Sequence, residues 1–229
     1  MKTLGIVGGI GPESTVEYYR SIIAAYRGRK RDGSYPRIII NSIDMKRLVD
    51  LIAADELSEV SEHLSGEVRK LERAGADFGL LAANTPHIVF DELRRRSPIP
   101  LISIVEATRE AAQAMGLKRI GLFGTRFTMR ARFYQNVFSE GGMTLVVPDE
   151  GEQDYIHEKY MSELVPGVFL PETRERLLSI ADRMRAREGI EGLILGGTEL
   201  PLILRDETHG GIPLLDTTRI HVNAAVAQL

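Results

Sequence analysis

Residues 4–15 read Leu4-Gly5-Ile6-Val7-Gly8-Gly9-Ile10-Gly11-Pro12-Glu13-Ser14-Thr15, an apolar run that ends in glycines and opens onto hydroxyl residues. An apolar run without polar alternation suits a strand covered on both faces, as in a parallel sheet. The same strand-to-turn pattern returns at Gly121-Leu122-Phe123-Gly124-Thr125. A second pair consists of Gly79-Leu80-Leu81-Ala82-Ala83-Asn84-Thr85 and Gly192-Leu193-Ile194-Leu195-Gly196-Gly197-Thr198. The separation is 74 residues from Gly5 to Gly79 and 71 from Gly121 to Gly192, so two strand-to-loop elements recur at nearly equal spacing. That pairing points to a duplicated α/β half.

Further apolar runs at 38–43, 101–104, 144–147 and 214–215 extend the strand set begun by 4–7, 78–81, 120–123 and 193–195. Between them the spacing of apolar residues at three and four predicts helices over 14–26, 55–74, 105–115, 128–139, 172–187 and 220–228. Strands alternating with helices give βαβ units with right-handed crossovers. The fold class is therefore α/β with mainly parallel sheets. Ser97-Pro98-Ile99-Pro100 is the natural hinge, placing one domain at 1–98 plus 216–229 and the other at 99–215.

The chain has 229 residues, enough for one large α/β domain or two of about 100 residues each without covalent staples. Hydrophobic residues make up 43% and charged residues 27%, a globular balance that excludes a disordered or fibrous chain. With 29 basic and 32 acidic residues the net charge is -3, lacking the basic excess that nucleic-acid binding needs. No apolar stretch is long enough to span a membrane, and the first residues lack the continuous apolar core of a signal peptide. A cytoplasmic location is expected. There is no cysteine, which excludes disulfides, thiolate metal sites and thiol catalysis.

Ligands in open α/β sheets collect at the carboxyl ends of the strands. The glycines of the first loop, Gly9 among them, allow close backbone approach, and Ser14 and Thr15 open the following helix. It reads as a small-carboxylate site or as a structural turn. A dinucleotide fingerprint needs a third glycine where Ser14 stands and an acidic residue nearer than Asp44. Asn84-Thr85-Pro86-His87 brings an amide, a hydroxyl and an imidazole into one loop, with His87 either a structural histidine or a catalyst. Gly124-Thr125-Arg126-Phe127-Thr128 offers two hydroxyls and an N-cap, and Gly196-Gly197-Thr198-Glu199 lacks the Gly-Lys-Ser/Thr of an ATP loop.

Taken together, Gly8-Gly9 with Ser14-Thr15, Asn84-Thr85-Pro86-His87, Gly124-Thr125, Gly196 with Thr198-Glu199-Leu200-Pro201, and Asp216-Thr217-Thr218-Arg219-Ile220-His221 resemble the aspartate/glutamate racemase superfamily, most closely its aspartate racemases. The resemblance covers nearly the whole chain in order. It implies two pseudo-symmetric α/β lobes, an active-site cleft between them, a homodimer, and an amino-acid or dicarboxylate substrate handled without cofactor or metal. Inversion at a tetrahedral carbon needs a base on one face and an acid on the other, which the family supplies as two cysteines, one per lobe. By the resemblance, Asn84, Thr85, Thr125 and Thr198 hold the α-carboxylate and amine, with Gly9, Ser14, Thr15 and Thr128 in the same loops. Arg47 either grips a side-chain carboxylate bidentately or is a solvated surface residue.

The pattern breaks at the cysteines. The first falls on Ala82, or on Ala83 with a one-residue shift, and the second on Gly197; none of these side chains carries a proton. Three readings follow: a racemase-type enzyme without its two thiols, a diverged isomerase or lyase of carboxylates, and a binding homologue that has lost catalysis. Glu199 is the titratable group nearest in sequence to the second vacant position and the candidate substitute acid or base; His87 and His221 resemble the family's own polar residues.

Overall fold

A computed structural model of the protein describes residues 2–229, which divide into two compact units. The first takes the chain up to Ile104 and recovers it at His221–Leu229; the second is Val105–Ile220. The domain boundaries expected after residues 98 and 215 lie a few residues before these crossings. Pro100 accepts a hydrogen bond from the Gly79 N–H (2.9 Å), so Ser97–Pro100 belongs to the first unit and leads into its last strand.

The first unit contains β1 (Thr3–Gly8), β2 (Arg37–Ser42), β3 (Phe78–Leu81) and β4 (Leu101–Ile102), all parallel, in the order β2-β1-β3-β4. Every side chain of β1 and β3 is buried, as their unbroken apolar sequences require. β2 departs from that expectation. It is an edge strand, and Ile40 keeps 40% of its surface exposed despite the continuous apolar run. Around the sheet lie α1 (Pro12–Arg29), α2 (Met45–Ala53), α3 (Leu57–Arg73), a 3-10 turn (Thr85–Val89) and α4 (Phe90–Arg96). The helix expected over 55–74 is α3; α2 precedes it, and Asp55, at φ 57, turns the chain between them. One core cluster joins Leu4, Ile6, Phe78 and Leu80 to Tyr18 and Ile22 of α1 and to Val222. Each such large side chain stabilises the fold by about 1.5–3 kcal/mol on burial.

The second unit repeats the plan. Its strands are β5 (Arg119–Gly124), β6 (Thr144–Val146), β7 (Gly192–Gly196), β8 (Thr208–His209) and β9 (Ile212–Asp216), in the order β6-β5-β7-β9-β8. Apart from the antiparallel β8, this is the strand order of the first unit, with the same parallel pairings. The chain enters through α5 (Ile104–Ala114) and leaves through α11 (Thr217–Val226), with α6 (Arg126–Arg130), α7 (Phe133–Glu140), α8 (Glu150–Lys159), α9 (Pro171–Glu188) and α10 (Leu200–Ile203) between. The helix expected over 128–139 is two short ones, because Ala131 adopts an extended conformation.

α8 has no counterpart in the apolar spacing, since Tyr155 and Ile156 are its only large apolar side chains. Its start is instead fixed locally. Asp149 accepts from the Glu152 N–H (2.9 Å) and Glu152 accepts from the Asp149 N–H (3.2 Å), a reciprocal cap. The helix then runs into a π-helical turn, Tyr160–Leu164, closed by the Val165 N–H on the Tyr160 carbonyl (2.9 Å). Among the described residues no helix is long and apolar enough to cross a membrane.

Candidate functional site

At the carboxyl end of β1, sterics dictate glycine. A Cβ on Gly8 would lie 2.8 Å from the Thr15 hydroxyl oxygen, and Gly9 sits at φ 78 with no room beside the Ile43 backbone. Thr15 Oγ1 accepts from the Gly9 N–H (2.8 Å) and donates to the Gly11 carbonyl (3.3 Å). Ser14 Oγ donates to the Ala82 carbonyl (2.9 Å). Gly9, Ser14 and Thr15 therefore build the loop and tie it to the end of β3, with both hydroxyl donors and the Gly9 N–H already used.

β3 continues into Ala82, whose N–H donates to the Val7 carbonyl (2.9 Å) and whose methyl is fully buried in the core cluster. The sheet registers decide between Ala82 and Ala83. Val7 pairs with Leu81 in the first unit and Phe123 with Leu195 in the second, which makes Ala83 the counterpart of Gly197. The glycine-to-glycine comparison of sequence is one residue out, because Gly79 pairs with Gly5 whereas Gly192 pairs with Ile120. Ala82 is thus a core residue, and Ala83 is the first unit's equivalent of Gly197. Asn84, nearly buried, precedes the 3-10 turn and accepts the His87 N–H on its carbonyl (3.0 Å); Thr85 is half-buried.

Two histidines of this unit, His87 and His221, are structural. His87 Nε2 accepts from the Ile104 N–H (3.2 Å) and its ring stacks on Phe90. Burial above all, with His221 adding to it, pushes His87 down to about 3. His221 Nε2 faces the Ile102 carbonyl (3.0 Å), which makes that nitrogen the donor and leaves Nδ1 to accept from the Tyr18 hydroxyl (2.8 Å). Burial pushes His221 down to about 4. Both are neutral at pH 7. Arg47 lies exposed on α2, where its charge helps burial to hold His63 below the usual histidine value.

The second unit closes its strand ends with the same device. A Cβ on Gly124 would come within 2.9 Å of Thr128 and 2.8 Å of the Gly196 carbonyl, so β5 and β7 approach backbone to backbone. Thr125 caps α6 by accepting the Thr128 N–H (3.2 Å), and the two hydroxyls lie 3.1 Å apart. Thr217 Oγ1 donates to the Leu195 carbonyl (2.8 Å). Thr198 Oγ1 donates to Glu199 Oε2 (2.9 Å).

At Gly197 a Cβ would lie 2.7 Å from Tyr160 Oη and 2.8 Å from Cζ. The ring of Tyr160 occupies the space. Its hydroxyl donates to Glu199 Oε2, the oxygen that Thr198 also bonds, and both residues are 5% exposed. Burial, and then the neighbouring Glu199 carboxylate, push the phenol well above its ordinary value, so it stays protonated. Nothing in the sequence near residue 197 signals this partner, which lies 39 residues before Glu199 on an element without apolar periodicity. Among the described residues, no group of three or more His, Asp or Glu is placed to hold a metal ion.

The profile of one family, described as Asp/Glu/Hydantoin racemase, matches residues 7–225. The broad specificity amino-acid racemase RacX of Bacillus subtilis (strain 168) is 25% identical over 98% of this chain and 96% of its own. The crystal structure of an aspartate racemase homologue from Pyrococcus horikoshii OT3 superposes with a TM-score of 0.85 at 35% identity, covering 100% of this chain and 98% of that one. An aspartate racemase of Picrophilus torridus, 22% identical, shares the fold with a TM-score of 0.78 over 100% of this chain and 94% of its own.

Proposed function

Because the chain belongs to the Asp/Glu/Hydantoin racemase family, we propose that it binds a small dicarboxylate amino acid, aspartate foremost, and acts on it without cofactor and without the two-thiol mechanism. One observation carries this reading. Glycines that admit no Cβ shape the strand-end loops of both units, and Ala83 and Gly197, neither of them titratable, are equivalent positions, which in our reading are those of the family's two cysteines. The likeness to an aspartate racemase homologue at 35% identity supports aspartate, and the likeness to a broad specificity racemase supports a tolerant pocket.

In this reading Asn84, Thr85, Thr125 and Thr198 hold the α-carboxylate and amine, Thr128 fixes Thr125, and Arg47 takes the side-chain carboxylate. Other carboxylate chemistry, isomerisation or elimination, is the second reading, favoured by the phenol that stands at Gly197. The chain acts in the cytoplasm as a homodimer; Val16, Tyr19 and Ile40, exposed large apolar side chains of the first unit, support the pairing. Calorimetry with L- and D-aspartate and L- and D-glutamate tests the reading. Binding of at least one is expected, weakened about tenfold or more by Asn84→Ala, a loss of about 1.4 kcal/mol. Absence of binding by all four at millimolar concentration refutes it.

A further inference from the structure

Three features meet at one point of the second unit: a glycine at position 197, a phenol in the room a side chain there would need, and a buried carboxylate bonded to that phenol. We propose that Tyr160 and Glu199 form a proton-handling pair that replaces the second thiol, the phenol oxygen exchanging the α-proton of the bound amino acid on one face only. The inference rests on the proposed amino-acid ligand.

The geometry favours a chemical role over space filling. A side chain at 197 would point straight at the Tyr160 ring, so the phenol occupies the room that side chain would need. Phenylalanine or methionine would fill that room without a carboxylate. Instead the protein buries Glu199 and satisfies one of its oxygens twice, from Tyr160 and from Thr198. Burying a carboxylate is costly unless it is hydrogen-bonded, and among the described residues no cation is bonded to this one. The π-helical turn that begins at Tyr160 is a local irregularity of a kind that recurs at functional sites.

The step balances within the pair. The phenol oxygen takes the α-proton as its own proton passes along the existing hydrogen bond to Glu199 Oε2. The carbon–hydrogen bond breaks, its electron pair stays on the substrate as the enediolate of the α-carboxylate, and a new O–H bond forms on Glu199. Reversal returns a proton to the same face, and no oxidant or further reactant enters. Ala83, the equivalent of Gly197, offers only a methyl, and His87 is committed to the Ile104 N–H, so neither is a second proton handler and exchange proceeds with retention of configuration.

The full chain is incubated separately with L- and D-aspartate in deuterium oxide; loss of the α-proton signal is followed by NMR, configuration by chiral chromatography, and affinity by calorimetry. The expected result is α-deuteration of one enantiomer without its mirror image accumulating. Tyr160→Phe and Glu199→Gln should each slow exchange by about 10²–10⁴-fold, the range of a general acid or base, with aspartate affinity kept. A residue that only fills space would not separate exchange from binding in this way. Exchange undiminished in both variants, or equal exchange of both enantiomers with full racemisation, overturns the proposal. Wild-type protein that binds aspartate and exchanges nothing overturns it while leaving the binding reading intact; failure to bind removes both.

Discussion

Gly197→Ala tests whether Tyr160 truly fills the place of the lost side chain. The new methyl would lie 2.7 Å from Oη and 2.8 Å from Cζ of a ring packed in the core and hydrogen-bonded to Glu199. Gly197 does not have a left-handed φ, so backbone strain contributes nothing and the cost is steric. Overpacking of this kind destabilises by about 1–3 kcal/mol. Replacing glycine by alanine also restricts the unfolded chain, which returns about 0.4–1 kcal/mol. In a chain of this size a net loss of about 1–2 kcal/mol lowers the melting temperature by about 2–8 °C. Tyr160→Ala alone costs about 3–5 kcal/mol as a large-to-small core change. In that background Gly197→Ala should be neutral or slightly stabilising, giving a coupling energy of about 1–3 kcal/mol. Thermal unfolding of the four proteins in one buffer measures the cycle. An equal effect of Gly197→Ala in both backgrounds refutes the reasoning, because the ring would then not stand where the methyl must go.

The two structural histidines predict acid sensitivity in the first unit. His221 and His87 have folded values of about 4 and about 3 against an ordinary 6.5. The unfolded chain therefore binds protons that the folded chain refuses. Stability should be full above pH 6.5 and fall as pH drops from 6.5 toward 4, by up to about 1.4 kcal/mol per pH unit for each ring. Imidazole NMR shifts that titrate near 6.5 in the folded protein would contradict this. Thr15→Val removes the acceptor of the buried Gly9 N–H and should cost about 1–3 kcal/mol in chemical unfolding; a change under a few tenths of a kcal/mol would show that the loop does not depend on that bond. Gly197→Cys should lower the melting temperature while Tyr160 is present and cost nothing when Tyr160→Ala makes room. An equal loss with and without Tyr160 would contradict the steric argument.

The unbroken apolar runs made β1, β3, β5 and β7 legible, and the repeated spacing revealed the shared strand order, because strands buried on both faces leave a continuous signal. β2 carries the same signal yet lies at an edge, since an apolar run does not report what covers its faces. The glycines that marked the repeat placed it one residue out, because glycine at a strand start is a packing choice and hydrogen-bond register alone fixes equivalence. Ser14 and Thr15 read as ligand groups; their hydroxyls turned out to bond their own loop and the end of β3. Tyr160 was invisible because α8 is set by a cap and not by an apolar stripe.

A crystal structure of the protein grown with D- or L-aspartate tests the central claim most directly. The account predicts the α-carboxylate and amine within hydrogen-bonding distance of Thr125 and Thr198, with the α-carbon next to Tyr160 Oη. Aspartate bound away from these loops, or a ligand whose α-carbon lies out of reach of the Tyr160 hydroxyl, would contradict it.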